Sequence, residues 1–181
     1  MSGLARDAAA LDSAVTLAAA GDRIAFARLV DAYYADTLRV AFVVACGDGE
    51  VAQDAVQAAW TIAWRKLGSV RDPARVRGWL VAVAANEARR QVRRRHPGRV
   101  VELRLDSIDP LGVDPAGLID RVDLVNALAH LRPEDRALLA MRYVAGLDST
   151  ELGERLGMSA SGTRARLARV LRRLRRDLDH D

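Results

Sequence analysis

The stretch that most constrains this chain is Gly146 to Arg176, GLDSTELGERLGMSASGTRARLARVLRRLRR. Its pattern predicts two short helices around a tight turn. Asp148 is placed to cap the first helix, and Glu151, three residues on, completes a capping box. Gly157 supplies the stop, because glycine tolerates positive φ at a helix end. Ser159 caps the second helix. That helix carries Arg164, Arg166, Arg169, Arg172, Arg173, Arg175 and Arg176, with no acid between Ser159 and Arg176. Gly153 and Gly157 stand four apart, where two crossing helices need small residues. The pattern is that of a helix-turn-helix whose second helix suits a DNA major groove. The competing reading is a solvated basic helix at the end of a bundle.

Upstream, helical spacing dominates and strand signals are weak, so an all-α chain is expected. Residues 1–9 read as a disordered N-terminus. A helix follows from Ala10 to Ala20, and Asp22 is placed to cap another that starts at Arg23. Gly47-Asp48-Gly49 is a turn. Glu50 to Lys66 forms a third helix with Val51, Ala55, Ala59 and Ile62 on one face and Gln53, Asp54 and Gln57 on another. Trp60 and Trp64 are four apart and share a side, as core or as a partner surface. After a loop over Gly68 to Pro73, Val76 to Arg95 reads as a helix. It changes from apolar around Trp79 to Arg-rich at Arg89, Arg90, Arg93, Arg94 and Arg95, with Asn86 at the change. That change suits a nucleic-acid contact beside a packed bundle, although a lone surface Asn on a helix is commonplace.

Charge divides the chain. Residues 96–120 hold two basic and five acidic residues, three prolines and three glycines, which is linker chemistry. Both flanks are net basic, as expected of a chain with a polyanionic partner. Two small helical domains, 10–95 and 121–181, are therefore expected on either side of an acidic linker. A single cysteine, Cys46, excludes an internal disulfide and leaves no Cys/His cluster for zinc. No apolar run approaches the roughly 20 residues of a membrane span, and the N-terminus lacks a signal-peptide core, so a cytoplasmic protein without membrane insertion is expected. There is no P-loop, GxSxG, HExxH or CxxC pattern. His96, His130 and His180 lie far apart, and Asp106, Asp109 and Asp114 sit in the linker without a helical frame. No enzyme and no cofactor is expected.

Separated segments carry a more specific resemblance. Asp54-Ala-Val-Gln57 with Trp60 and Ala63-Trp64 resembles the DxVQ…F…AW segment of region 2 of sigma-70 family factors. Trp79-Leu80, Ala84, Asn86 and the Arg93–Arg95 run are similar to the WLxxIAxNxxxDxxRR segment that follows it. Leu156-Gly157-Met158-Ser159 with Arg166-Leu167 and Arg169 resembles the LGIS…RLxRA pattern of region 4. Order, spacing and the short linker resemble the extracytoplasmic-function type, which keeps only regions 2 and 4. The chain departs from the pattern at Ala58, Arg90, Gly153 and Ser161-Gly162-Thr163.

This resemblance implies an alternative sigma factor, which binds core RNA polymerase and directs it to promoters. It implies that Asp54, Gln57, Trp60 and Trp64 meet the polymerase clamp helices, with the flap of the large subunits as a further contact. Val70, Arg71, Arg75, Asn86, Arg89, Arg90 and Arg93 would read and hold the opened −10 strand. Arg142, Ser161, Arg164, Ala165, Arg166, Ala168 and Arg169 would face the −35 duplex. The acidic linker would run through positively charged polymerase channels, and an anti-sigma factor would hold the chain inactive. The rival from the same residues is a conventional helix-turn-helix regulator with an N-terminal dimerisation or ligand domain, which leaves Asp54–Trp64 and Val76–Arg95 unexplained. A helical adaptor that binds an acidic protein is a further rival.

Overall fold

The computed structural model describes residues 2–95, 124 and 126–178. Helix α1 spans Ser2–Ala19. The segment expected to be disordered is therefore helical from Ser2, ahead of the start expected at Ala10. Gly21, at φ 98°, breaks the chain direction, and Asp22 caps α2 (Arg23–Val44) by accepting from the backbone N–H groups of Ile24 and Ala25. Cys46 and Gly47, at φ 58° and 85°, turn the chain into Asp48, which caps α3 (Gly49–Lys66) through the N–H of Val51. Two single 3-10 turns, Leu67–Ser69 and Pro73–Arg75, fill the expected loop, the second capped by Asp72. Helix α4 then runs Val76–Arg95, over the residues read from the sequence.

Alanine shapes this first unit. Ala52, Ala55, Ala59 and Ala63 of α3 and Ala84, Ala85 and Ala88 of α4 are all buried. Small side chains at a helix contact let the axes approach closely, so α3 and α4 form a tight pair with α2 laid across them. Leu29, Val40 and Val44 of α2 fill the remaining space.

The linker expected over 96–120 lies outside the described residues. The second unit opens with a helical turn at 126–129 and continues through α5 (Pro133–Leu139), which passes without a break into a π-helical turn, Ala140–Val144. Helix α6 (Ser149–Leu156) has the predicted capping box, closed in both directions between Asp148 and Glu151. Gly157 stands at φ 65° as the left-handed stop. Helix α7 (Ala160–Leu178) follows, with Ser159 accepting from the N–H of Gly162 at 3.1 Å. No strand occurs among the described residues.

The two units do not stand apart. Their buried side chains form one continuous apolar cluster, in which Leu138, Met141 and Leu147 of the second unit join Leu29, Val44 and Val81 of the first. Arg136 of α5 sits wholly inside it, 1 % exposed. Its Nε donates to the Val44 carbonyl at 2.9 Å, and one terminal nitrogen donates to the carbonyls of Leu128 and Leu131. Burial holds the pKa of this guanidinium below its ordinary value.

Candidate functional site

Three surfaces emerge from this frame. The first is a groove of about 670 Å³ between α2 and α3, lined by Phe26, Tyr34, Asp54, Gln57, Trp60 and Trp64 among others. Trp60 and Trp64 share one side, as their spacing requires, but differ in burial. Trp60 is inside and Trp64 is 40 % exposed, and the edge of Phe26 meets both rings at centroid distances of 5.7 and 4.9 Å. The Trp60 indole N–H is buried with no hydrogen-bond partner. Asp54 and Gln57 stand exposed on the rim, with Asp54 2.7 Å from Arg95 of α4. All four residues singled out on this segment therefore line one groove.

The second surface runs from the loop at Val70 along α4. Val70 is half-buried, Arg71 and Arg75 are exposed, and Asn86, Arg90 and Arg93 point outward with Arg89 half-buried beside them. Asn86 accepts from Arg89 at 2.9 Å, and Arg90 pairs with Glu87 at 3.0 Å. Three of these arginines meet acids of the second unit. Glu134 of α5 binds Arg93 and lies 3.8 Å from Arg89, and Glu154 of α6 binds Arg75 at 2.5 Å. The backbone carbonyl of Arg75 accepts from Arg155 at 3.3 Å. Arg77, which the motif reading passed over, donates to Asp36 at 2.7 Å and to the Ala145 carbonyl at 2.7 Å.

The third surface is the outer face of α7. At about 100° per residue, Arg164, Ala165, Ala168 and Arg169 share one side, and all four are exposed while Thr163, Leu167 and Val170 are buried against the unit. Ser161 is exposed at the helix start, 3.1 Å from Ser159 Oγ. Arg166 differs from its neighbours. It is turned inward and donates twice to Asp135, at 2.8 and 3.2 Å. Arg142 is half-buried, donates to the Leu147 carbonyl at 3.1 Å and lies 5.8 Å from the Tyr143 ring centre. The sequence reading had no role for Asp135, Glu134 or Glu154, because their partners are 31 to 79 residues away.

The described residues form an all-helical protein with a C-terminal helix-turn-helix and a separate aromatic groove. Known proteins place it further. Residues 29–97 match the model of sigma-70 region 2, and residues 121–174 match that of sigma-70 region 4. The ECF RNA polymerase sigma factor SigL of Mycobacterium tuberculosis is 32% identical over 168 residues, covering 89% of this chain and 93% of the relative. RNA polymerase sigma factor CarQ of Myxococcus xanthus is 29% identical over 130 residues, covering 71% and 75% of the two chains. In structure, the chain is similar to CnrH in its complex with the cytosolic domain of CnrY, with a TM-score of 0.70 at 22% identity, over 95% of this chain and 99% of that one. The chain belongs to the ECF RNA polymerase sigma factors of the sigma-70 family. It is an alternative sigma factor that directs RNA polymerase to promoters. Among the described residues no helix is long and apolar enough to cross a membrane.

Proposed function

We propose a division of labour among the three surfaces. The α2–α3 groove with Asp54, Gln57, Trp60 and Trp64 docks on the polymerase clamp helices. Its apolar floor and the unpartnered Trp60 N–H suit a helix that offers an apolar side chain and an acceptor. The loop at Val70, Arg71 and Arg75, with Asn86, Arg89, Arg90 and Arg93 of α4, holds the opened −10 strand, since arginines grip phosphates while exposed bases are captured beside them. Helix α7 reads the −35 duplex through Arg164, Ala165, Ala168 and Arg169. Arginine forks match guanine, and alanine leaves room for a thymine methyl. Arg142 and Ser161 face phosphate. The domain boundary lies in 96–120, the flap of the large subunits receives the second unit, and the chain acts in the cytoplasm.

The observation that carries this reading is the sidedness of α7: four adjacent positions of groove-reading chemistry stand exposed in register, and the intervening apolar positions are buried. Run-off transcription with purified core enzyme on a promoter library tests it. Selection of a shared pair of −10 and −35 sequences is the expected result. DNA binding without any polymerase-dependent initiation would favour a conventional helix-turn-helix regulator instead.

An anti-sigma partner belongs to the same reading. The exposed apolar groove of α2 and α3 is the surface such a partner would cover, and the similar CnrH fold is solved with the cytosolic domain of CnrY. Purification of the native protein from resting cells tests this. Recovery only as the free chain, or only with core enzyme, would contradict it.

A further inference from the structure

We propose that α1 is a positioning element for the loop assigned above to the −10 strand. Its buried stripe, Leu11, Ala14, Val15 and Ala18, sets the shape of that loop without α1 itself meeting DNA. The inference rests on the −10 assignment. Helix α1 lies wholly ahead of the region 2 segment, and no motif singled out above falls on it.

The loop has little of its own to hold it. Its two 3-10 turns, Leu67–Ser69 and Pro73–Arg75, are three residues each. They close through bonds such as the Val70 N–H to the Leu67 carbonyl at 2.9 Å and the Arg75 N–H to the Asp72 carbonyl at 3.0 Å. Bonds of this kind have poorer geometry than those of an α-helix, and a single turn fixes several dihedrals for little return. Ser69 Oγ donates to the Lys66 carbonyl at 2.7 Å, and the Asp72 carboxylate accepts from the Ala74 N–H at 3.1 Å. All of these are local. A loop that presents Val70, Arg71 and Arg75 in one arrangement needs support from outside itself.

Helix α1 gives that support, because it packs on both turns as well as on α2. Leu11, Ala14, Val15 and Ala18 fall at i, i+3, i+4 and i+7, which is one face of a helix. Ala14, Val15 and Ala18 are buried, and the stripe belongs to the apolar cluster that holds Leu67 and Val76 at the two ends of the loop. Val70 packs against the same cluster. A polar tie runs alongside. Burial pushes the Tyr33 phenol up, and the nearby Asp12 carboxylate of α1 adds to this while Arg77 opposes it. Arg77, in the first turn of α4, donates to Asp36 at 2.7 Å. Asp12, Tyr33, Asp36 and Arg77 thus link α1 through α2 to the helix that ends the loop. Arg71 and Arg75 stay exposed at its outer side.

Truncating the stripe in the full chain tests this. Val15→Ala opens the contact between α1 and the loop. Val40→Ala, at an equally buried valine of α2, makes the same truncation elsewhere in the cluster and controls for lost stability. The probes are the single-stranded −10 segment selected in the transcription assay, its single-base variants, the −35 duplex and core polymerase. Val15→Ala should cut the discrimination among −10 strands at least about threefold, a part of what one base ordinarily carries, with −35 and core affinities changed less than about twofold. Val40→Ala should lower the melting temperature by as much and leave −10 discrimination intact. Equal loss of discrimination in both variants, or loss in neither, overturns the proposal. Asp12→Asn leaves the core whole and decides the matter should Val15→Ala not fold: unchanged −10 discrimination in that variant then overturns it. Arg71→Ala with Arg75→Ala separates the support from the assignment beneath it. If that pair weakens −10 binding while Val15→Ala leaves discrimination intact, the support alone is wrong. If the pair changes nothing, the −10 assignment and the support fall together.

Discussion

Asp135 and Arg166 form a clamp between α5 and α7. The carboxylate is buried, takes two hydrogen bonds from Arg166 on one oxygen, and takes two more from Arg132 on the other. Arg166 sits between Ala165 and Leu167 on the helix proposed to face DNA, yet it points into the protein. The pair ties α7 to α5 beside the exposed Arg164 and Arg169.

Asp135→Asn keeps the shape and removes the charge. Stability should fall by roughly 1.5–3 kcal/mol, the range for hydrogen bonds to charged groups. Discrimination should weaken at several −35 positions together, because the whole helix is released. Thermal melting and binding to a set of single-base −35 variants measure both. A loss confined to one base position would instead make Arg166 a direct reader.

Arg169 is exposed on the proposed reading face, and Arg175 lies nearly two turns further along α7. Arg169→Ala should cost about 1–3 kcal/mol and relax preference at one −35 position. Arg175→Ala should weaken binding slightly and equally on every sequence. Equal losses across all variants for Arg169→Ala would reassign it to phosphate.

Gly153→Ala pits two effects against each other. An alanine inside an exposed helix gains about 1 kcal/mol over glycine. Here the added Cβ would stand 2.6 Å from the Met158 carbonyl oxygen and 3.3 Å from Thr163 Oγ1. Backbone must move to admit it, at about 1–3 kcal/mol, so the clash wins. A lower melting temperature is expected; a higher one would show that the turn yields freely.

On α3, Asp54→Ala with Gln57→Ala should weaken binding to core polymerase while changing stability by only about 0.5 kcal/mol, as surface polar changes do. Asp54 does lose its pair with Arg95, but that pair is largely exposed and weak. Titration of labelled core enzyme decides, and unchanged affinity would remove this segment from the interface.

Acid should loosen the helix-turn-helix early. The N–H groups of Glu151 and Thr150 hold the Asp148 carboxyl below its ordinary value of 3.8. A depressed folded pKa means the stabilisation is complete above the unfolded value and is lost as pH falls through the folded one. Asp148→Asn still caps but does not titrate there, so its melting temperature should fall less steeply below about pH 4, near the unperturbed carboxylate range. Parallel acid arms for the two proteins would exclude Asp148 from the acid response.

Much of this was legible in local sequence. Asp22 and Asp148 are caps because an aspartate before an apolar-periodic run has few other uses, and Gly157 and Gly47 stop helices by conformation alone. The exposed face of α7 follows from the period that buries Leu167 and Val170. What local pattern could not carry was pairing at a distance. Arg166 carries the same charge as Arg164 and shares Ala165 with it as a neighbour, and Asp135, 31 residues away, separates their fates. Arg136, inside RALLAM, looks like the polar stripe of an amphipathic helix. Its burial depends on the Val44 carbonyl, 92 residues upstream.

Arg136 also bears on how permanent the association of the two units can be. A seam made only of leucine, valine and alanine would gain from every ångström it hides, and separating it would carry no recompense. A guanidinium sealed among carbonyls, with one nitrogen unpartnered, recovers its hydration as soon as the seam parts. Part of the cost of separation is thereby refunded by water, while the fork still demands a single alignment on the way back. The residue makes the seam reversible and exacting at once.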